Sequence, residues 1–420
     1  MSDAFGAPPQ VLRGLQLKEI GRYADAEKAF REALAHEPND AFALHHLAAC
    51  QFHQHGRHRD ALATIENAIA LQPHEVDHHI LRAFILCVLD RAKEALATAQ
   101  LAHQLAPMSD AAFTAEAQAH LQLSRWADAE AAARQALALD ADNSTAANQL
   151  AQALRLQNKM DENAGHLAGM LARDPEDPYT HANAGWSALQ RGHHREAEMH
   201  FREALRLNPD FDSAREGLLN SFRARSPIYR GYLSYCFAMQ RLSSGSRWAV
   251  IIGLYVLARF ASRLKGGLGL AIMAVYFLFV LWVWVARPFG NLMLLFDRFA
   301  RYALRREEKI EAAVVGGALC VGILALGTGM AVNNDVGLTA GIGLIAMSFP
   351  LALTFTNGSK AGTILFGTIG AITLLGTALC LLAPLLPAID AMAGNVFLAG
   401  CIGSLVSTWL GNIPALRKAA

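Results

Sequence analysis

At 420 residues, with 37 Lys+Arg against 36 Asp+Glu, the chain has room for more than one domain and almost no net charge. Its mean hydropathy of +0.22 is high for a water-soluble protein, and residues 1–225 hold 22 basic and 30 acidic side chains, a net of −8, while residues 226–420 hold 15 and 6, a net of +9. The acidic first half argues against a nucleic-acid partner, which requires a basic face, and six scattered cysteines without a CxxC pair argue against a disulfide framework or a zinc ribbon.

The opening MSDAFGAPPQVLRG has no basic segment followed by an apolar run, so no secretory signal is expected and the first half is read as cytoplasmic. From residue 7 the sequence falls into units of 34 residues, once 35. The clearest is Pro178–Phe211, two amphipathic stretches separated at Arg191-Gly192 and closed at Asn208-Pro209. Small residues recur where two closely packed helices leave no room for more. The first series is Gly14, Ala49, Ala83, Ala117, Ala151 and Gly185, and the second Ala26, Ala61, Ala95, Ala129, Asn163 and Ala197. The third is Ala33, Ala68, Ala102, Ala136, Met170 and Ala204, and a helix-stopping position reads Pro38, Pro73, Pro107, Ala141, Pro175 and Pro209. Repeat five, with Asn163 and Met170 in small positions, is expected to splay.

This pattern resembles the tetratricopeptide repeat (TPR) family, a helix-turn-helix unit of about 34 residues. The resemblance implies an all-α, TPR α-solenoid of six repeats and a capping helix over residues 7–223. It also implies a concave groove, built from the first helix of each repeat, that holds a protein or peptide ligand. Carried over position by position, the groove would present His46, Cys50 and His53, then Ile80, Phe84 and Cys87, then Thr114 and Gln118, then Asn148, Gln152 and Arg155, and finally Tyr179 and Trp186. In such a groove Asn148 and Gln152 would pair with a ligand backbone, Arg155 with a carboxylate, and Phe84, Tyr179 and Trp186 would act as aromatic anchors.

Residues 224–247 form an Arg-rich linker, and 248–413 read as an α-helical transmembrane bundle. Stretches of the length needed to cross a bilayer run over 266–286, 312–332, 336–356, 361–383 and 393–413, with a shorter one at 248–262. Counting the short one puts 12 of the 15 basic residues of this half on the side of the repeats, as the Lys/Arg bias of cytoplasmic loops requires. The expectation is therefore about six transmembrane helices in the inner membrane, with both termini cytoplasmic. Residues 289–305 alternate an apolar stripe (Leu292, Leu295, Phe296, Phe299, Ala303) with charge, which predicts a helix lying in the interface with Arg298, Arg301 and Arg305 toward lipid headgroups. Glycines throughout the last four spans, Gly337 and Gly341 among them, predict close helix packing and a possible homo-oligomer.

Catalytic templates are sparse. His74-Glu75-Val76-Asp77-His78 matches HExxH in form, but His74 follows Pro73 directly, so the two imidazoles would not share a helix face. His46, Cys50 and His53 stand at metal-ligand spacing on one helix without a fourth ligand. No phosphate-binding or nucleophile-elbow motif is present. The sequence thus reads as a non-enzyme without a cofactor, a membrane-anchored scaffold or adaptor that serves envelope or membrane-complex assembly. The alternative is a repeat-regulated small-molecule transporter or channel, whose pore would be lined by Thr328, Thr339, Ser348 and Thr354. The absence of acidic or basic residues within the last four spans weighs against that alternative.

Overall fold

The computed structural model describes residues 8–264, 267–298, 300–355, 357–411, 413 and 416. The expectations placed on Gly266, Phe299, Thr356, Arg417 and Lys418 lie outside these. Most of the described residues are helical, with no strand among them. The chain divides into two compact units, residues 1–187 with 238–248, and residues 188–237 with 249–420, the division falling inside the sixth repeat.

Six helix pairs follow one another as the 34-residue period predicts: α1 Pro9–Glu19 with α2 Tyr23–His36, α3 Ala41–Phe52 with α4 His58–Leu71, α5 Val76–Val88 with α6 Ala92–Leu105, α7 Asp110–Gln122 with α8 Trp126–Leu139, α9 Ser144–Leu156 with α10 Met160–Arg173, and α11 Pro178–Gln190 with α12 His194–Leu207. Four of the six first helices, α3, α7, α9 and α11, are capped by a side chain at a fixed place. Asp40, Ser109 and Asn143 accept from the amides of Ala43, Ala112 and Ala146, and Asp177 accepts from Thr180, each tying down a donor the helix start leaves open. The small positions are where the helices touch. Ala26, Ala61, Ala95, Ala129 and Ala197 are all fully buried. In repeat five Asn163 is buried and donates to Ser187 Oγ at 3.2 Å, Met170 is buried too, and α9 and α10 approach less closely than earlier pairs, which is the room two larger side chains require.

The turn inside each pair uses one left-handed residue. Gly21, Gly56 and Gly192 supply it in three repeats, while Asp90 (φ 64°), Ser124 (φ 58°) and Asn158 (φ 64°) supply it in the others. A Cβ in this conformation crowds the following carbonyl, at a cost of about 1–2 kcal/mol that glycine avoids. Ser124→Gly is therefore expected to stabilise the first unit by about 1 kcal/mol, and a urea midpoint that fell instead would contradict this account of the turn. Trp126, at the start of α8, donates its indole N–H to Arg241 O at 2.8 Å, so the segment 238–248 belongs to this unit.

The second unit begins with α12 and α13 (Asp212–Arg223) and continues through α14 (Pro227–Arg241), α15 (Ser244–Ala261) and α16 (Gly267–Phe296). Beyond them come α17 (Arg306–Glu311), a π-turn over Ala312–Gly316, α18 (Gly317–Val332), α19 (Asp335–Phe355), α20 (Lys360–Leu382) and α21 (Asp390–Leu410). Among the described residues, four stretches are long and apolar enough to cross a membrane: Arg306–Val332, Asp335–Phe355, Lys360–Leu385 and Pro387–Leu410. The first two expected spans are helical as well, α15 with 18 residues and α16 with 30, the latter containing the shorter apolar stretch Gly267–Val280. The interfacial helix expected near 289–305 takes a different form. Residues 289–296 complete α16 without a break at Pro288, and a 3₁₀ turn at Ala300–Tyr302 leads to α17.

Glycines set the spacing of α18–α21. A Cβ on Gly341 would lie 2.5 Å from Leu326 N, one on Gly329 2.6 Å from Leu338 N, and one on Gly376 2.5 Å from Phe397 N, so these residues are spent on contacts within the chain. Of the four hydroxyls expected to line a pore, three bond their own helices, Thr328 to Leu324 O, Ser348 to Ile345 O and Thr354 to Pro350 O.

Where α13 meets α16 and α17, the unit carries a polar network. Arg223, buried, donates Nε and Nη2 to Asn291 Oδ1 at 3.1 and 2.5 Å and Nη1 to Asn220 Oδ1 at 2.8 Å, and it also pairs with Glu216. Arg215 pairs with Glu308 at 2.9 Å, Arg225 with Asp297 at 2.9 Å and Arg305 with Asp212 at 2.6 Å. A buried guanidinium is tolerated only where its donors are met, and these bonds fix the cap helix against the α16–α17 hairpin.

Candidate partner-binding face

The first helices α1, α3, α5, α7, α9 and α11 lie side by side, so a residue on one meets its counterpart about 34 places on. The sequence puts short polar groups and imidazoles at these meeting points. In α9 and α11, Asn148 Nδ2 donates to Asp177 Oδ2 at 2.9 Å while Asn148 Oδ1 accepts from Asn183 Nδ2 at 2.8 Å, and Thr180 donates to Asp177. Between α7 and α9, Gln149 donates to Gln118 Oε1 at 3.2 Å, and Asn143 donates to Asp110 and Thr114.

At the other end the ladder is made of imidazoles. His45 and His78 face each other with Nδ1 atoms 3.2 Å apart, and His46 Nδ1 lies 3.1 Å from Lys18 Nζ. A recess of about 520 Å³ opens here, lined by Phe42, His45, His46, Glu75, Asp77 and His78. Burial is the main force on these rings, with Lys18 and the neighbouring imidazoles adding to it, and pushes His45 down to about 4 and His46 to about 3. The face is therefore neutral at physiological pH at these positions, able to donate and accept hydrogen bonds without a fixed charge.

The expected groove residues divide into two groups. Tyr179 and His53 are exposed, and His46, Phe84, Gln118, Asn148, Gln152 and Trp186 are half-buried on this face. Cys50, Ile80, Cys87, Thr114 and Arg155 are buried instead, Cys50 completely, where it packs in one cluster with Val11, Ala26 and Phe30 of the preceding repeat. Burial holds the Arg155 guanidinium down to about 10, still charged near neutrality. Asn148 and Gln118 spend polar atoms on other first helices, so part of the predicted recognition set is structural.

His46, Cys50 and His53 do not converge. Cys50 points into the core, His46 stacks on Phe30 at 5.7 Å, and His53, just past the end of α3, stacks on Tyr23 at 4.4 Å. No group of three or more potential ligands is poised for a metal among the described residues. In the HExxH stretch the helix begins only at Val76, and His78 turns to His45 rather than to His74. Lys18, His45, Asp177 and Asn183 are not picked out by the sequence reading, and His78 is picked out only as part of the HExxH stretch. Their signal was pairing with a neighbour 28 to 35 residues away.

Residues 114–178 and 179–211 each match a tetratricopeptide repeat family model. No curated protein matches the chain. Solved structures that resemble it include YrrB, described as a TPR protein with an unusual peptide-binding site, at 20% identity over 45% of this chain and 96% of that one, with a TM-score of 0.32. A tetratricopeptide repeat protein from Parabacteroides merdae gives 16% identity over 56% of this chain and 93% of that one, with a TM-score of 0.42. PilW, a type IV pilus biogenesis factor, gives 16% identity over 50% of this chain and 96% of that one, with the same score of 0.42.

Proposed function

Because the first half of this chain belongs to the tetratricopeptide repeat family, a fold used to bind peptide or protein partners, we propose that it is an adaptor. Its first-helix face holds a protein or peptide segment, and its apolar helices anchor it in the inner membrane. The observation that supports this reading is the recess of about 520 Å³ at α3 and α5, lined by His45, His46, His78 and the exposed Phe42, with the exposed Tyr179 further along the same face, which together give a peptide polar and apolar side chains to meet. The neutral imidazoles and amides favour recognition of the backbone over recognition of a strongly charged motif. Six spans, with the repeats and both termini on the cytoplasmic side, complete the proposal, and assembly of an envelope or membrane complex is the setting it fits.

A photo-crosslinking amino acid placed at Phe42, Gln152 or Tyr179 in intact membranes tests this. Discrete adducts are expected from these three positions and not from Arg59 or Arg202, which are exposed on second helices. Adducts of equal yield from both sets, or none from the first, would end the adaptor reading. Arg155 and Asn148 are unsuited to such a test, since one is buried and the other ties α9 to α11.

A further inference from the structure

We propose that the exposed arginines at the tip of the α16–α17 hairpin, Arg298, Arg301 and Arg306, together with the aromatics Phe296 and Tyr302, form a docking surface for the headgroups of anionic phospholipids. The inference rests on the membrane reading above. Arg298, Arg301 and Arg306 stand exposed at the tip, Arg301 also donating to Tyr302 Oη at 2.9 Å, and Arg305, which the sequence reading adds to them, pairs with Asp212.

The tip sorts its charges. Asp297 takes Arg225 and caps the amide of Ala300, and Glu308 takes Arg215 and caps the amide of Arg305, while Glu311 is buried. Those acidic groups face the repeat end of the unit, leaving Glu307 as the exposed carboxylate beside three exposed arginines. The outer side is therefore basic, and it is held in shape from behind by the ion pairs of α13.

Two further observations point to lipid rather than to a soluble anion. Phe296 is 85% exposed and Tyr302 73% exposed, with the Arg301 guanidinium 4.8 Å above the Tyr302 ring. Aromatic rings left open beside cations are costly in water and at home at the level of lipid headgroups. The second is height. A Cβ on Gly316 would lie 3.0 Å from Leu292 and 3.2 Å from Pro288 O, so the two arms of the hairpin are in register there. From Ala312, the first residue after the charged run that ends at Glu311, Arg306 is six residues back, roughly 9 Å along a helix. A headgroup layer of about 5–7 Å and the reach of an arginine side chain close that distance.

The test uses the full chain, extracted in mild detergent and offered equal amounts of phosphatidylglycerol and phosphatidylcholine, with retained lipid read by native mass spectrometry. Wild type is expected to retain the anionic lipid about tenfold over the neutral one, and the triple variant Arg298→Gln, Arg301→Gln, Arg306→Gln to lose that preference. The corresponding Arg→Lys triple should keep most of it, which separates lost charge from a damaged fold. A control that removes the same charge from exposed positions of the repeats (Arg13→Gln, Arg59→Gln, Arg195→Gln) should behave as wild type. An unchanged preference in the tip variant, an equal loss in the control, or displacement by millimolar inorganic phosphate as effective as by lipid would overturn the proposal. A chain recovered in the aqueous fraction of lysed cells would overturn the membrane reading instead.

Discussion

Phe201→Ala is expected to destabilise the end of the repeat array by about 3–5 kcal/mol. The ring is fully buried between α12 and α13, and nothing smaller fills its place. Gly217→Val should also destabilise, by about 2–3 kcal/mol, for the opposite reason: a Cβ at Gly217 would lie 2.3 Å from Cε1 and Cζ of Phe201, too close for any rotamer to relieve. Together the two substitutions should cost at least about 1 kcal/mol less than the sum of their separate effects, since the cavity left by the ring accepts the valine. Hydrogen exchange of α12 and α13 in the detergent-solubilised chain reads the three free energies. Strict additivity would mean that Gly217 and Phe201 do not share a site, and the packing of the cap described above would be wrong. The same relation holds at the start of the array, where a Cβ on Gly14 would lie 2.7 Å from Phe30.

What could be read in advance follows from what is local. A period of 34 residues places helix pairs, their small contact positions and their stops, because each depends on a few neighbouring residues and repeats unchanged. The left-handed turn residues were half legible. Gly192 announces itself, but Asp90 and Ser124 adopt the same conformation without glycine's signal, and only their register with Gly21, Gly56 and Gly192 gives them away. The groove was legible as a face and not as a surface. Helical periodicity assigns Cys50 and Arg155 to a side of the helix, yet whether a neighbouring helix covers that side depends on how the repeats stack, which no single repeat encodes. Contacts such as Arg223 to Asn291 and Arg215 to Glu308, which span 68 and 93 residues, leave no local trace at all. The amphipathic stripe over 289–305 is divided between two elements, since α16 runs on past Pro288 to Phe296 and a 3₁₀ turn follows at Ala300–Tyr302, a division that helical periodicity alone does not mark.

Acidification should loosen the first repeats, and the imidazole ladder sets the range. His45 and His46 hold folded values of about 4 and about 3 against an ordinary 6.5, so between pH 6.5 and those values the unfolded chain binds protons that the folded chain refuses. Stability is then fully present above pH 6.5 and falls as the pH drops, by up to about 1.4 kcal/mol per pH unit for each ring. At pH 5 the pair should cost the first repeats about 3 kcal/mol relative to pH 7, allowing for rings that are still partly solvated. Burial lowers His53, His78 and His120 as well, which acts in the same direction. The groups facing the pair are Lys18 on α1 and His78 on α5, with Glu75 and Asp77 beside His78; the carboxylates oppose the effect at His78 without reversing it. Cys50, fully buried a turn away, reports the opening. The urea concentration at which its thiol reacts with an acid-competent disulfide probe should fall from pH 7 to pH 5 in the wild type and move by less than a third as much in His45→Gln, His46→Gln. A wild-type midpoint that stayed level across this range would show that the two rings take up protons as readily in the folded chain as outside it, and that their burial does not keep them neutral.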